Sequence, residues 1–116
     1  MRGLKFLPTD TANLSINNAT TGTGSVVAYN DCRQVIAFLE YNTSTPPTTG
    51  VIVLEWAHEA DYAGAWSNLT TLTLANVVAG TEDPGLTYPG GLPFVRARFT
   101  TPSDQAVTYY TNGDLN

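Results

Sequence analysis

The chain has 116 residues, with five basic and ten acidic side chains, one histidine and a formal net charge of -5. A chain of this length can bury about two thirds of its unfolded surface without disulfides or metals, so we expect one domain over residues 1–116. Only 13% of the residues are charged, against about 25% in an average protein. The scattered basic residues form no stripe that would neutralise phosphates, which argues against a nucleic-acid partner.

Cysteine content and hydropathy exclude further classes. Cys32 is the only cysteine, so an intramolecular disulfide and a multi-cysteine metal site are excluded, and we expect a small buried thiol. Polar residues at 9–11 follow the N-terminal apolar patch where a signal peptide would continue, so we expect no export signal. No segment reaches the roughly 18 consecutive apolar residues of a membrane helix, so we expect no membrane partner.

The first half of the chain predicts strands separated by turns. Residues 12–16 and 25–30 have strand-like patterns, and the TTGTG run at 20–24 predicts a turn. Residues 34–41, QVIAFLEY, contain helix formers together with β-branched and aromatic residues. Their length and the proline pair that follows at 46–47 favour a strand over a helix.

The second half predicts four elements. Residues 51–57 are apolar on both faces, which is typical of a central strand. Residues 65–74 predict a strand in which Trp66 is an anchor in the core between two sheets, while Leu69 is out of phase unless a bulge intervenes. Residues 75–91 predict a long loop, the place where we expect a partner contact.

Residues 92–100 and 106–112 predict the last two strands, and in the first of them Val95, Ala97 and Phe99 share one face. The pattern as a whole predicts an all-β, single-domain antiparallel β-sandwich of about seven to eight strands, either immunoglobulin-like or jelly-roll-like.

The candidate catalytic residues have the wrong spacing. His58, Glu59 and Asp61 lie together but match no metal motif, and no serine occurs in a GxSxG context. We therefore expect no catalytic, cofactor-binding or metal-binding residues and no enzymatic activity.

Arginine and aromatic residues are the candidate binding residues. Arg96 and Arg98 alternate on one face of a strand; either they pair with Glu55 or Glu40 across the sheet, or they reach an acidic patch on another subunit. Flat aromatic side chains suit a sugar-binding platform. The residues considered for it are Trp56, Tyr62, Trp66, Tyr88, Tyr109 and Tyr110.

The N-terminal segment, residues 1–10, predicts an arm that becomes ordered on a partner. It combines the basic Arg2 and Lys5 with apolar residues such as Phe6, and Pro8 interrupts any strand ladder.

Three segments, GVIVLEWA (50–57), YAGAWSNL (62–69) and LPFVRARFT (92–100), resemble a pattern in small β-sandwich proteins of tailed-bacteriophage virions. There a strand of the type G-x-x-V-x-E precedes a G-x-W-x-x-L segment, and a later strand ends in V-R-A-R. The resemblance covers about half of the chain. The matching positions are Gly50, Val53, Glu55, Gly64, Trp66, Leu69, Val95, Arg96, Ala97 and Arg98.

This resemblance implies a virion structural role and transfers no catalytic residue. The expected protein is a capsid decoration (cement) protein that binds the major capsid protein or other virion proteins. We expect it in the virion, assembled in the host cytoplasm, as a homo-oligomer with a trimer favoured. The alternatives are a tail, fibre or baseplate component and a carbohydrate-binding module. The candidate partner-binding residues are Arg2, Lys5, Phe6, Tyr88, Arg96 and Arg98.

Overall fold

Eight strands and one short helix form the regular structure of the computed structural model, which describes residues 3–6, 14–83, 85–89 and 91–116. In chain order these are β1 (Leu14–Ala19), β2 (Val27–Tyr29), β3 (Cys32–Tyr41), β4 (Val51–Ala57), β5 (Ser67–Thr73), α1 (Leu74–Val78), β6 (Gly85–Pro89), β7 (Leu92–Thr101) and β8 (Val107–Leu115). Within these ranges no helix is long and apolar enough to cross a membrane.

The strands form two four-stranded antiparallel sheets, the first in the order β1-β8-β3-β6 and the second in the order β2-β7-β4-β5. The first strand of the chain pairs with the eighth, the second with the seventh, the third with the sixth and the fourth with the fifth. This nested pairing is the topology of a jelly roll. An immunoglobulin domain would instead pair its first two strands, so the predicted β-sandwich is confirmed and its jelly-roll alternative is the correct one.

The core lies between the sheets and follows the period-two alternation of the strands. Val35, Ala37 and Leu39 of β3 face it from the first sheet, and Val95, Ala97 and Phe99 of β7 face it from the second. These β7 residues are the inward set that the sequence predicts. Cys32 is also buried in this core, as expected.

Strand β4 is central in the second sheet, between β7 and β5, as its two apolar faces predict. Gly50 precedes it with φ at +124°, a conformation that favours glycine. A Cβ at Gly50 would also overlap the Leu74 side chain and the Ser103 backbone. The start of β4 therefore requires glycine for two independent reasons.

Strand β5 contains a bulge, the alternative that the out-of-phase Leu69 left open. Leu54 pairs with Thr70 but Glu55 pairs with Asn68, so Leu69 is the extra residue in β5. Leu69 packs against the core from this irregular position. The same bulge reverses the orientation of the residues that precede it, which decides the position of Trp66.

The prediction of a long loop over residues 75–91 is wrong. The segment contains most of α1 and the whole of β6, whose five residues pair with β3 at the edge of the first sheet. The two prolines and four glycines of this segment suggested a loop, but Pro89 lies on an edge strand, where one side needs no hydrogen-bond donor.

Candidate functional site

The N-terminal candidate residues that the structure describes contact this chain itself. Lys5 donates its backbone N–H to the Gly113 carbonyl at 2.8 Å, and its ammonium group contacts both carboxylate oxygens of Asp31 at 2.9 Å. Phe6 exchanges two hydrogen bonds with the Asn112 side chain and meets the Tyr29 ring edge to face. Residues 3–6 thus lie along the end of β8, whereas Arg2 and residues 7–10 of the predicted arm lie outside the described residues.

Tyr88 of β6 points into the sandwich. It stands opposite the fully buried Val35 and packs against the core. Its hydroxyl is buried, and burial raises the pKa of Tyr88, an effect partly offset by the neighbouring Thr70. A side chain in this position contributes to packing and presents no hydroxyl to a partner.

Arg96 and Arg98 surround Glu55 on the outer face of the second sheet. Arg96 donates from Nε to Glu55 Oε1 at 2.8 Å, and Arg98 donates from Nε to the same oxygen at 3.0 Å and from Nη2 to Oε2 at 3.3 Å. The Glu55 side chain is only 5% exposed, whereas those of Arg96 and Arg98 are 23% and 38% exposed. The cross-strand interpretation with Glu55 is therefore the one that the structure shows.

Trp66 stacks against Arg96 on the outer face of the second sheet, and the prediction that it anchors the core between the sheets is wrong. Its ring lies under Arg96, with the guanidinium carbon 4.0 Å from the ring centroid, and its Nε1 donates to the Tyr62 carbonyl at 2.9 Å. The bulge at Leu69 places Trp66 on the outer side of the sheet. We call Glu55, Trp66, Arg96 and Arg98 the arginine face.

The electrostatics of the arginine face leave a surplus of positive charge. Burial by itself raises the pKa of Glu55, but hydrogen bonds and charge from Arg98 and Arg96 outweigh it, so the pKa lies below its ordinary value. One carboxylate neutralises only one of the two guanidiniums. Because Lys5 and Arg33 each pair with one carboxylate, the surplus among the described basic residues is at this face.

The outer face of the first sheet is apolar and open to solvent. Ile36 and Phe38 of β3 are 38% and 44% exposed, and Leu4 is 50% exposed. Phe38 stacks on Tyr110 of β8, directly across the strands, with ring centroids 4.8 Å apart and planes at 17°. The Tyr110 hydroxyl donates to the exposed Glu40 carboxylate at 2.9 Å. We call Leu4, Ile36, Phe38 and Tyr110 the aromatic face.

A pocket of about 340 Å³ lies on the aromatic face, bordered by all four of its residues and by Glu40. On β6, Gly85 stands opposite Phe38 and carries no side chain to cover its ring. Sequence analysis missed this site, although Ile36, Phe38 and Glu40 alternate with the buried Val35, Ala37 and Leu39 in QVIAFLEY. Two consecutive outward positions with apolar residues, Ile36 and Phe38, were the signal available.

The structure separates the predicted partner-binding residues. Arg96 and Arg98 lie on the outer face of the second sheet, whereas Lys5 and Phe6 lie against β8 of the first sheet, and Tyr88 is internal. The six predicted residues therefore do not form one surface. The sugar-platform residues are separated in part: Trp56 and Tyr62 border one pocket, whereas Tyr88 and Tyr109 belong to the core, Trp66 to the arginine face and Tyr110 to the aromatic face.

The remaining candidate cluster is the loop between β4 and β5. His58 meets the Trp56 ring edge to face at 5.1 Å and, with Glu59 and Tyr62, borders a pocket of about 320 Å³. In the part of the chain that the structure describes, no group of three His, Cys, Asp or Glu side chains is placed to hold a metal ion.

No protein-family model matches this chain. No curated protein matches it either. Among solved structures, the chain is similar to the crystal structure of the Yersinia pseudotuberculosis-derived mitogen (YPM), with 14% sequence identity, a TM-score of 0.40, and coverage of 87% of this chain and 88% of that chain. A similarity at this level carries no argument about what this chain binds.

Proposed function

We propose that this protein is a virion structural protein, a capsid decoration (cement) protein that binds the assembled phage head through its aromatic face. The observation that carries this proposal is the exposure of Ile36, Phe38 and Leu4 beside the Phe38–Tyr110 stack. The resemblance of residues 50–57, 62–69 and 92–100 to virion β-sandwich proteins supplies the class of partner.

The composition of the aromatic face suits a protein partner. Interface cores are rich in aromatic residues and poor in charge, and this face has two stacked rings, with the carboxylate of Glu40 and the Arg33–Asp114 ion pair at its border. Sandwich stability does not require Ile36 and Phe38 to be apolar, because the opposite side of β3 already supplies Val35, Ala37 and Leu39 to the core. A contiguous apolar patch of this kind typically marks an interaction surface.

The arginine face supports association between copies. The chain is acidic overall, with a net charge of -5, yet this face has one surplus positive charge. Opposite potentials on one molecule favour contact between the arginine face of one copy and an acidic surface of the next. A trimer is the oligomer we propose, because capsid lattices offer local threefold sites.

Cryo-EM of virions from a wild-type and a deletion strain tests the location. We expect difference density at repeated sites on the capsid surface. Density on the tail or fibre with an unchanged capsid surface would contradict the decoration proposal and support the tail, fibre or baseplate alternative.

Binding variants test the surface. We expect Phe38→Ser to weaken co-sedimentation with assembled capsids by about tenfold or more, as loss of an interface aromatic does. The control Glu59→Gln changes an exposed residue of the β4–β5 loop, away from both faces, and should bind as the wild type does. Equal binding by all three proteins would show that the aromatic face is not the capsid contact.

A further inference from the structure

We propose that the pocket between β4 and β5 binds one saccharide ring, a function separate from the capsid binding proposed above. The pocket lies where β4 ends and β5 begins, and it has a volume of about 320 Å³. This is close to the lower limit of small-molecule sites, about 300 to 1,000 Å³. Its size therefore suits one small ring and not an extended chain.

The walls of the pocket combine aromatic and hydrogen-bonding side chains. Trp56 and Tyr62 supply the aromatic surface, and His58, Glu59 and Ser67 supply polar groups. A saccharide ring has an apolar face of C–H groups that packs on an aromatic ring and hydroxyls at its edge that require donors and acceptors. The pocket offers both the aromatic surface and the hydrogen-bonding groups.

The indole of Trp56 is accessible because of its neighbour across the sheet. Ser67 stands directly opposite Trp56 in the β4–β5 ladder, and its small side chain covers little of the ring. Trp56 itself is half-buried and packs against the core, so its position is fixed from below. The result is a rigid aromatic surface with one open side.

The loop that carries the polar groups is also held in place. The Tyr62 N–H donates to the Glu59 carbonyl at 3.3 Å, and the Tyr62 carbonyl accepts from Trp66 Nε1 at 2.9 Å. The Tyr62 ring lies against Gly64, where any Cβ would overlap it. Because these contacts fix the loop before a ligand arrives, binding costs little ordering of the protein.

The charge of the pocket selects against other ligands. Glu59 is the charged side chain at the wall, and among the residues that the structure describes no lysine or arginine borders the pocket, so phosphates and carboxylates are disfavoured. An organic cation would fit Glu59 and the two aromatic rings. The hydrogen-bonding groups of His58 and Ser67 favour a neutral, hydroxylated ring over such a cation.

NMR titration of the full chain with methyl glycosides of glucose, galactose, mannose and N-acetylglucosamine tests the proposal. We expect at least one sugar to shift the Trp56 indole N–H resonance with a dissociation constant in the millimolar range, and to leave the Trp66 resonance unchanged. Tetramethylammonium serves as the competing probe. Shifts caused by tetramethylammonium alone, or no shift with any of the sugars at saturating concentration, would overturn the proposal.

Two variants locate the site. Ser67→Leu fills the space beside Trp56 and should abolish the shift, whereas Thr71→Leu makes a similar enlargement on the outward side of the same strand and should not. Glu59→Gln should weaken binding about tenfold, because it removes a charged acceptor. Its control, Glu40→Gln, makes the same change on the first sheet and should leave binding unchanged. Loss of binding in both controls would contradict the assignment. Unchanged binding in both Ser67→Leu and Glu59→Gln would contradict it as well.

Discussion

The outward side chains of the two sheets differ in where they find their interaction partners. On the arginine face, Glu55 is buried beneath two arginines from its own chain, one of which stacks on Trp66. On the aromatic face, Phe38 has a stacking partner, but Ile36 and much of the Phe38 ring remain in contact with water. The side chains of the arginine face bind one another, whereas the aromatic face keeps exposed apolar surface that a second molecule can cover.

This difference shows which sequence features serve stability and which leave a surface for binding. Charged residues in the middle of a sheet attract attention as functional candidates, yet Glu55, Arg96 and Arg98 neutralise one another, apart from one surplus positive charge. The apolar residues of β3 look like ordinary core formers, yet Ile36, Phe38 and Tyr41 are exposed to solvent. Matched variants on the two faces should therefore differ in stability.

The largest effect should come from Glu55→Ala. This change leaves the guanidiniums of Arg96 and Arg98 close together without their carboxylate. Removing one partner of a buried ion pair costs about 3 to 5 kcal/mol; since the arginines keep part of their hydration, we expect about 3 kcal/mol. The free energy of unfolding, measured by chemical denaturation, gives the value.

The matched control for that change is Glu40→Ala on the aromatic face. Glu40 is exposed and accepts one hydrogen bond from Tyr110, so its loss should change the free energy of unfolding by no more than about 0.5 kcal/mol. Equal free energies of unfolding for the two alanine variants would show that Glu55 does not stabilise the arginine face in the way that we describe.

Trp66→Ala should have the next largest effect. The ring is 9% exposed but lies outside the core between the sheets, so water can occupy part of the space it leaves. We expect a loss of about 2 kcal/mol, below the 3 to 5 kcal/mol typical of a core aromatic. Phe38→Ala on the aromatic face should cost less than about 1 kcal/mol. Thermal and urea unfolding of both variants measures the difference, and the reverse order would contradict the comparison.

Acid titration tests the electrostatic part of the arginine face. The pKa of Glu55 is lowered in the folded state from the ordinary value of 4.5. Its contribution to stability is therefore complete above that pH and is lost as the pH falls through the folded pKa. We expect wild type to be more stable than Glu55→Gln at neutral pH, by less than the Glu55→Ala effect.

That stability gap between wild type and Glu55→Gln should narrow below about pH 4.5. Asp31 and Asp104, whose pKa values are also lowered, contribute equally to both proteins and do not affect the gap. A gap that stays constant through the acid range would show that Glu55 acts by shape and not by charge. Chemical denaturation at a series of pH values measures it.

Sequence alone was sufficient for most of the fold. Length and the following proline pair identified β3, apolar residues on both faces identified β4, and period-two alternation placed Val95, Ala97 and Phe99 of β7 on one face. Edge strand β6 was missed because Gly85 and Pro89, which weaken a central strand, are tolerated at an edge. The register of the strand pairs and the jelly-roll order of the strands both depend on pairings between residues far apart in the chain. Local sequence patterns do not encode these pairings.

The candidate sites were harder to predict than the fold, and the reason is visible at two residues. The orientation of Trp66 depends on the single extra residue at Leu69, because a one-residue shift in a strand moves every preceding side chain to the other face. The exposure of Phe38 depends on Gly85, its neighbour on a strand that local patterns did not predict. Exposure is a property of what stands opposite a residue, and this is decided by the tertiary fold.

The smallest effect on stability should come from Ile36→Thr on the aromatic face. Ile36 is 38% exposed, and threonine keeps the β-branched shape that a strand favours, so we expect a change within about 0.5 kcal/mol. Val35→Thr, one position earlier, provides the control: Val35 is fully buried, and its replacement places a hydroxyl in the core at a cost of about 1 to 3 kcal/mol. If the aromatic face is open, Ile36→Thr should also reduce binding of a hydrophobic dye to the native protein, whereas equal destabilisation by both variants would mean that this face is as buried as the core.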